Sequence, residues 1–216
     1  MRKTLACLFG LLFAAPLGAH PHVFIDTGLE LSFDSAGQLE SVRVTWVYDE
    51  FYSLLITEDM GLDPDYDGIL TEAEQAELTG FDMQWVEGFN GDLEIFQKGD
   101  LLDLSGPQKI SASYQDGRIT TVHTRQVMSP TVVGQPLELM PYDLSYYTAY
   151  DVTLPVVLKG QAACRHRLEV PDLNEGLIEL RAKLQMLDAE MTPEEEGLPN
   201  IGAELATRVI VTCPVS

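Results

Sequence analysis

The stretch "VFIDTGLELSFDSAGQLESVRVTWVY", Val23 to Tyr48, decides the fold class. Apolar and polar residues roughly alternate from Val23 to Asp34 and again from Leu39 to Tyr48, with Ser35-Ala36-Gly37 between them. A period of two puts successive side chains on opposite faces of a strand, so the stretch predicts a β-hairpin. His22, Phe24 and Asp26 then share a face. The next segment changes period. "DEFYSLLITEDM" (Asp49 to Met60) carries Phe51, Leu54 and Leu55 near helical spacing, and in "TEAEQAELTGFDMQWVEGF" (Thr71 to Phe89) Leu78, Phe81, Trp85 and Phe89 follow at i, i+3, i+7 and i+11. A helix pair is expected there, inserted over residues 49–90. From Asp92 the alternation returns in short runs split by Lys98-Gly99-Asp100 and Asp116-Gly117, which predicts further antiparallel strands to about Val170. Asp172 to Met191 reads as an amphipathic helix and Ala206 to Cys213 as a last strand. The expectation is a single α+β domain over residues 20–216, mostly antiparallel sheet, with an EF-hand-like helix–loop–helix insertion and a C-terminal helix.

Between the inserted helices lies "DPDYDGILTEAE", Asp63 to Glu74. As a twelve-residue calcium loop it sets Asp63, Asp65 and Asp67 at positions 1, 3 and 5, Gly68 at 6, Ile69 at 7, Thr71 at 9 and Glu74 at 12. A hard cation wants six to eight oxygens: the aspartates supply three, the Ile69 carbonyl another, and Glu74 two more. Thr71 with Glu74 also fits a capping box, which by itself requires neither the three aspartates nor the glycine. A single loop in an exported protein suggests a calcium ion that staples the insertion rather than a sensor, since such modules bind at about 10⁻⁴ to 10⁻³ M.

The amino-terminal segment reads as a secretory leader. Arg2 and Lys3 precede the apolar run Leu5 to Ala15, and Leu17-Gly18-Ala19 places small residues before a cut. That run is 11 residues, against the roughly 20 needed to span a bilayer, so residues 1–19 are expected to be a cleaved signal peptide and the chain periplasmic and not membrane-spanning. Cleavage takes 19 of the 216 residues and moves the formal net charge from −21 to −23. Such an acidic chain is not expected to bind nucleic acid, which is held by lysine and arginine on phosphate. Losing Cys7 leaves Cys164 and Cys213, which in an oxidising compartment most simply form one disulfide; a pair of soft metal ligands is the alternative. There is no GxSxG and no HExxH, and no cysteine free for nucleophilic work if the disulfide forms, so an enzyme is not expected.

Cleavage would make His20-Pro21-His22 a terminus, offering an α-amine and two imidazoles. Pro21 has no N–H to deprotonate, which blocks one square-planar mode for copper or nickel and leaves side-chain coordination suited to zinc. Asp26, on the same face as His22, is a candidate ligand or second-shell partner. His123, in "TVHTRQV", is the further candidate ligand, whereas His166 lies between Arg165 and Arg167 and is a poor place for a cation. A solvated, inert tail is the plain alternative. "TWVYDEFYS" (Thr45 to Ser53) and "MPYDLSYYTAYD" (Met140 to Asp151) are dense in Tyr and Asp. Their aromatics suggest core and loop anchors, with Asp49, Glu50, Asp143 and Asp151 as further cation-site candidates.

"HPHVFID" after the leader, "TWVYDEFYS", the acidic loop, "YDLSYY" and the closing "ATRVIVTCP" together resemble a family of bacterial exported proteins of largely undefined function. Its members carry the label of periplasmic component of an uncharacterised ABC-type transport system. They are commonly encoded beside permeases of the nickel/cobalt-efflux type, and some look like zinc-uptake accessories. The resemblance implies a periplasmic metal-handling partner of an inner-membrane metal permease, with a transition metal (zinc, with copper or nickel as alternatives) held by His20 and His22. Two other classes compete: a copper histidine-brace redox protein, and a calcium-stabilised interaction module whose histidines hold nothing.

Overall fold

The computed structural model describes residues 21–160, 163–186 and 197–214. The segment expected to be a leader, residues 1–19, and His20 lie outside these. The hairpin forms as its alternation requires, with β1 (Val23–Phe33) antiparallel to β2 (Leu39–Tyr48). The Asp34 carboxylate accepts the backbone N–H groups of Ala36 at 2.9 Å and Gln38 at 2.8 Å and so closes the turn.

α1 (Glu50–Asp59) follows at once, capped by Asp49, whose carboxylate accepts the Tyr52 N–H. The helix turns a different face inward from the one its apolar residues suggest. Phe51, Leu54 and Leu55 are exposed, while Ser53 and Thr57 are buried with Tyr52 and Ile56 against the core. The phase is set by polar groups: Ser53 Oγ accepts the N–H of Ile119 at 2.9 Å. α2 (Glu72–Leu78) is short. The helical spacing expected to run to Phe89 stops at Leu78, because Thr79 is extended and Gly80 adopts φ +87°. Residues 79–91 form turns instead, and Phe81, Trp85 and Phe89 serve as loop anchors.

The remaining elements are β3 (Leu93–Gln97), β4 (Asp100–Leu101), β5 (Gln108–Gln115), β6 (Arg118–Gln126), β7 (Leu137–Pro141), β8 (Thr148–Asp151), β9 (Val156–Lys159), β10 (Arg165–Glu169), α3 (Glu175–Leu184), α4 (Gly202–Leu205) and β11 (Arg208–Thr212). The C-terminal amphipathic helix thus begins three residues later than expected, and residues 187–191 of that segment lie outside those described. One sheet has the order β5-β6-β2-β1-β8, with β9 also on β1; the other runs β10-β11-β7-β3-β4. All pairings are antiparallel except two made by β1, whose first half takes β8 and second half β9 in parallel.

Leu29, Leu31, Val42 and Val44 of the first sheet and Ile95, Leu139, Val209 and Val211 of the second are each no more than 1% exposed and belong to one core. Burying such a side chain contributes about 1.5–3 kcal/mol. Cys164 and Cys213 form a disulfide across the end of the β10–β11 pair. No helix among the described residues is long and apolar enough to cross a membrane.

Candidate functional site

The acidic loop runs from α1 to α2. Carboxylate oxygens of Asp63, Asp65 and Asp67 lie within 4.8 Å of one another, the sole such metal-sized group among the described residues. Asp63 organises the turn, accepting the N–H of Asp67 and of Gly68, each at 3.0 Å. Gly68 sits at φ +77°, a conformation that an L side chain resists, and this reverses the chain so that Ile69 and Thr71 return past the aspartates. Glu74 is engaged at the start of α2, accepting from Thr71 N–H and Oγ at 2.7 Å each. These hydrogen bonds, led by the one from the Thr71 side chain, hold its carboxyl below the usual range. The capping box and the calcium-loop pattern therefore coexist on the same residues, with Asp63, Asp65 and Asp67 clustered and Glu74 held in the cap.

His22 lies just before β1, with its ring 4.6 Å from that of Tyr147 and its backbone N–H donated to the Tyr147 carbonyl at 2.8 Å. Burial lowers its pKa, which favours the neutral, metal-binding form of the imidazole. Asp26 is otherwise engaged: Arg118 Nη2 at 2.8 Å and Thr153 Oγ1 at 2.5 Å both donate to it. Asp49 accepts from Phe24 N and Tyr52 N, and Asp143 from Ser145 and Thr148. His166 is exposed on β10.

His123 has gone to the core. It is 0% exposed, with the rings of Trp46 at 4.7 Å and Trp85 at 5.4 Å, and neither ring nitrogen has a hydrogen-bond partner. Burial, with the charge of Arg125 adding, pushes its pKa down to about 3. No metal-sized group among the described residues contains His22 or His123.

Beside His123 the two Tyr-rich segments meet. A cavity of about 150 Å³ lies between them, floored by Trp46 and Tyr48 of β2 and Tyr150 of β8. α1 contributes Tyr52, the loop after α2 contributes Asp82, Trp85 and Phe89, and Tyr147 stands at the rim. Asp82 Oδ2 accepts the hydroxyls of Tyr48 and Thr121 at 2.7 Å each, whereas its Oδ1 is buried without a partner. Burial raises the pKa of Asp82 and carries those of Tyr48 and Tyr150 well above the ordinary phenol value. Gly91 makes room for the lid formed by the loop after α2, since a Cβ there would overlap the Trp85 ring. The density of Tyr and Trp in two distant segments is the sequence signal for this cavity, but Asp82 carries no local motif.

A family model matches residues 5–213, nearly the whole chain. The chain belongs to this family. It is described as a protein of unknown function (DUF1007). No curated protein matches the chain. The family's span takes in the His20-Pro21-His22 segment, the acidic loop, every wall of the aromatic cavity and both disulfide cysteines, so membership covers all of these features while assigning none of them an activity.

Proposed function

We propose that the protein is an exported metal-binding protein whose helix–loop–helix holds a calcium ion. The observation that carries this is the convergence of Asp63, Asp65 and Asp67 within 4.8 Å around a left-handed Gly68. Ligands would come from those three carboxylates, the Ile69 carbonyl, Thr71 directly or through water, and Glu74 after it leaves the Thr71 N–H. The ion would neutralise the clustered charge and tie α1 to α2. Its role is structural: one loop is present, and the exiting helix α2 already has its cap and a buried anchor, Leu78.

The amino terminus supports a second, transition-metal site. His22 is held in place by Tyr147 with its imidazole biased to the neutral form, and the sequence places His20 two residues before it. With the leader and the Cys164–Cys213 disulfide favouring an oxidising compartment, the reading is a periplasmic protein that takes up zinc there and passes it to, or receives it from, an inner-membrane permease. Calorimetric titration of the chain beginning at His20 tests both sites. Calcium binding lost in Asp65→Ala and zinc binding lost in His22→Ala are the expected results. Zinc binding unchanged by His22→Ala would remove the terminal site, and calcium binding unchanged by Asp65→Ala would remove the loop.

A further inference from the structure

We infer that the aromatic cavity is a binding site for a small alkylammonium ion in solution, with Asp82 as its counter-charge. The site is separate from the acidic loop, and it shares Tyr147 at its rim with the His22 segment. Three features of the cavity define the ligand. The first is its wall, which is mostly aromatic: Trp46, Tyr48, Tyr52, Trp85 and Tyr150 line it, with Val23, Ile25 and Thr148 completing the lining. Ring faces carry negative quadrupole charge, and a desolvated cage of them attracts a weakly hydrated cation such as a quaternary ammonium.

The second is the single carboxylate. Asp82 Oδ1 is the sole buried carboxylate oxygen without a hydrogen-bond partner among the described residues, and none of the salt bridges among those residues involves Asp82. Oδ1 is itself covered, so what a cation in the cavity meets is the charge of the carboxylate rather than a free acceptor, and a half-buried carboxylate with no cation beside it is costly until one compensates that charge. The nearby guanidinium does not supply that charge. Arg125 stacks over Trp85 at 5.1 Å, its Nε and Nη1 donating to the carbonyls of Ser105 and Asn90 and neither to Asp82. Nor does the cavity suit a transition metal, which needs three or four strong donors. Here there is one carboxylate, and the hydroxyls of Tyr48 and Tyr150 are committed as donors to Asp82 and Asp92.

The third is size and access. A volume of about 150 Å³ admits a head group of a few heavy atoms and little more. Tyr147 and Phe89 at the rim are 42% and 40% exposed, so a short tail can remain in solvent. The acidity of the whole chain favours the approach of a cation.

The chain has two tryptophans, Trp46 and Trp85, and both line the cavity, so intrinsic fluorescence reports directly on it. The calcium-loaded protein is titrated with tetramethylammonium and choline, and with the neutral isostere 3,3-dimethylbutan-1-ol, at matched ionic strength. The expected result is a saturable change with the cations in the millimolar range or tighter, with the isostere binding at least tenfold more weakly. Asp82→Asn keeps an oxygen for Tyr48 and Thr121 and should weaken cation binding at least tenfold. Tyr147→Ala, at the exposed rim, should weaken it severalfold and serves if Asp82→Asn does not fold. Equal affinity for the isostere, no saturable change with either cation, or full affinity in both variants would overturn the assignment. So would displacement of the cation by stoichiometric zinc, which would make the cavity a metal site, or binding seen with phosphatidylcholine vesicles but not with the free ions.

Discussion

The acidic loop and the aromatic cavity both present carboxylate charge to a cation, and they do so by opposite means. In the loop three aspartates stand within five residues of one another, largely in solvent, where water screens their repulsion and the backbone N–H groups of Asp67, Gly68 and Ile69 brace two of them. In the cavity a single half-buried carboxylate stands among rings, and its strength comes from low local dielectric rather than from number. Many oxygens in water suit a small hard ion, and one oxygen in a ring cage suits a large soft one. The two sites are neighbours in the chain, because the loop ends at Glu74 and the lid begins at Thr79, yet they depend on different parts of the fold.

That independence can be broken most sharply at the cavity floor. Trp46 is 3% exposed and packs on His123 and Tyr150, so Trp46→Ala should cost about 3–5 kcal/mol in urea unfolding. The calcium affinity of the folded fraction should stay within about twofold. A large loss of calcium affinity would show that the loop leans on the sheet.

The loop gives the next effect. Calcium at about a hundred times its dissociation constant should stabilise the fold by about 2.7 kcal/mol, read as a rise in melting temperature. Asp65→Ala should abolish that rise while leaving the calcium-free melting temperature nearly unchanged, since Asp65 braces none of the loop's backbone.

Two buried groups near the cavity sharpen the comparison through pH. Burial lowers His123 from 6.5 to about 3, so within that window the unfolded chain takes a proton the fold refuses. Its contribution is full above about pH 6.5 and is lost as pH falls. Asp92, bonded by Tyr150 and facing Asp143, is raised by burial from 3.8 to about 7. Its contribution is full below its unfolded value and is lost as pH rises. Each slope is bounded by about 1.4 kcal/mol per pH unit, and between roughly pH 4 and 6.5 they offset one another. His123→Leu should therefore leave stability falling as pH rises across that span, and Asp92→Asn should leave it rising. Urea midpoints that run parallel in both variants and the parent would refute the pairing.

The smallest effect is expected at Thr71. Its capping box is formed without an ion, so Thr71→Ala should cost about 1 kcal/mol in calcium-free protein. With calcium bound the cost should shrink, because Glu74 would then have left the box for the ion.

Much of this was legible in the chain because it is local. The hairpin from Val23 to Tyr48 follows from alternation, and the loop from Asp63 to Glu74 follows from spacing, since all its donors lie within twelve residues. For Cys164 and Cys213 the sequence offered a disulfide as the simplest reading and a pair of soft metal ligands as the alternative, and the structure pairs them as a disulfide. Misreadings arose where periodicity met tertiary contacts. Leu78, Phe81, Trp85 and Phe89 fit a helix, but Gly80 turns the chain and frees Trp85 to cover His123. On α1 the apolar residues Phe51, Leu54 and Leu55 suggested the inward face, yet the Asp49 cap and the Ser53–Ile119 hydrogen bond set the rotation that exposes them.

The sequence by itself determined a β-rich α+β chain, two helices joined by an acidic loop, and a histidine-bearing start to the first strand. Each is written in consecutive residues, where backbone geometry alone brings the groups together. Only the tertiary structure decided that His123 is buried between two tryptophans, that Asp26 is taken by Arg118 and Thr153, and that Asp82 faces an aromatic cavity. Those outcomes depend on how two sheets, one helix and one turn-rich loop pack against each other. Residues 46, 82 and 150 share no local pattern, and what brings them together is burial of a common core, a property of the whole chain.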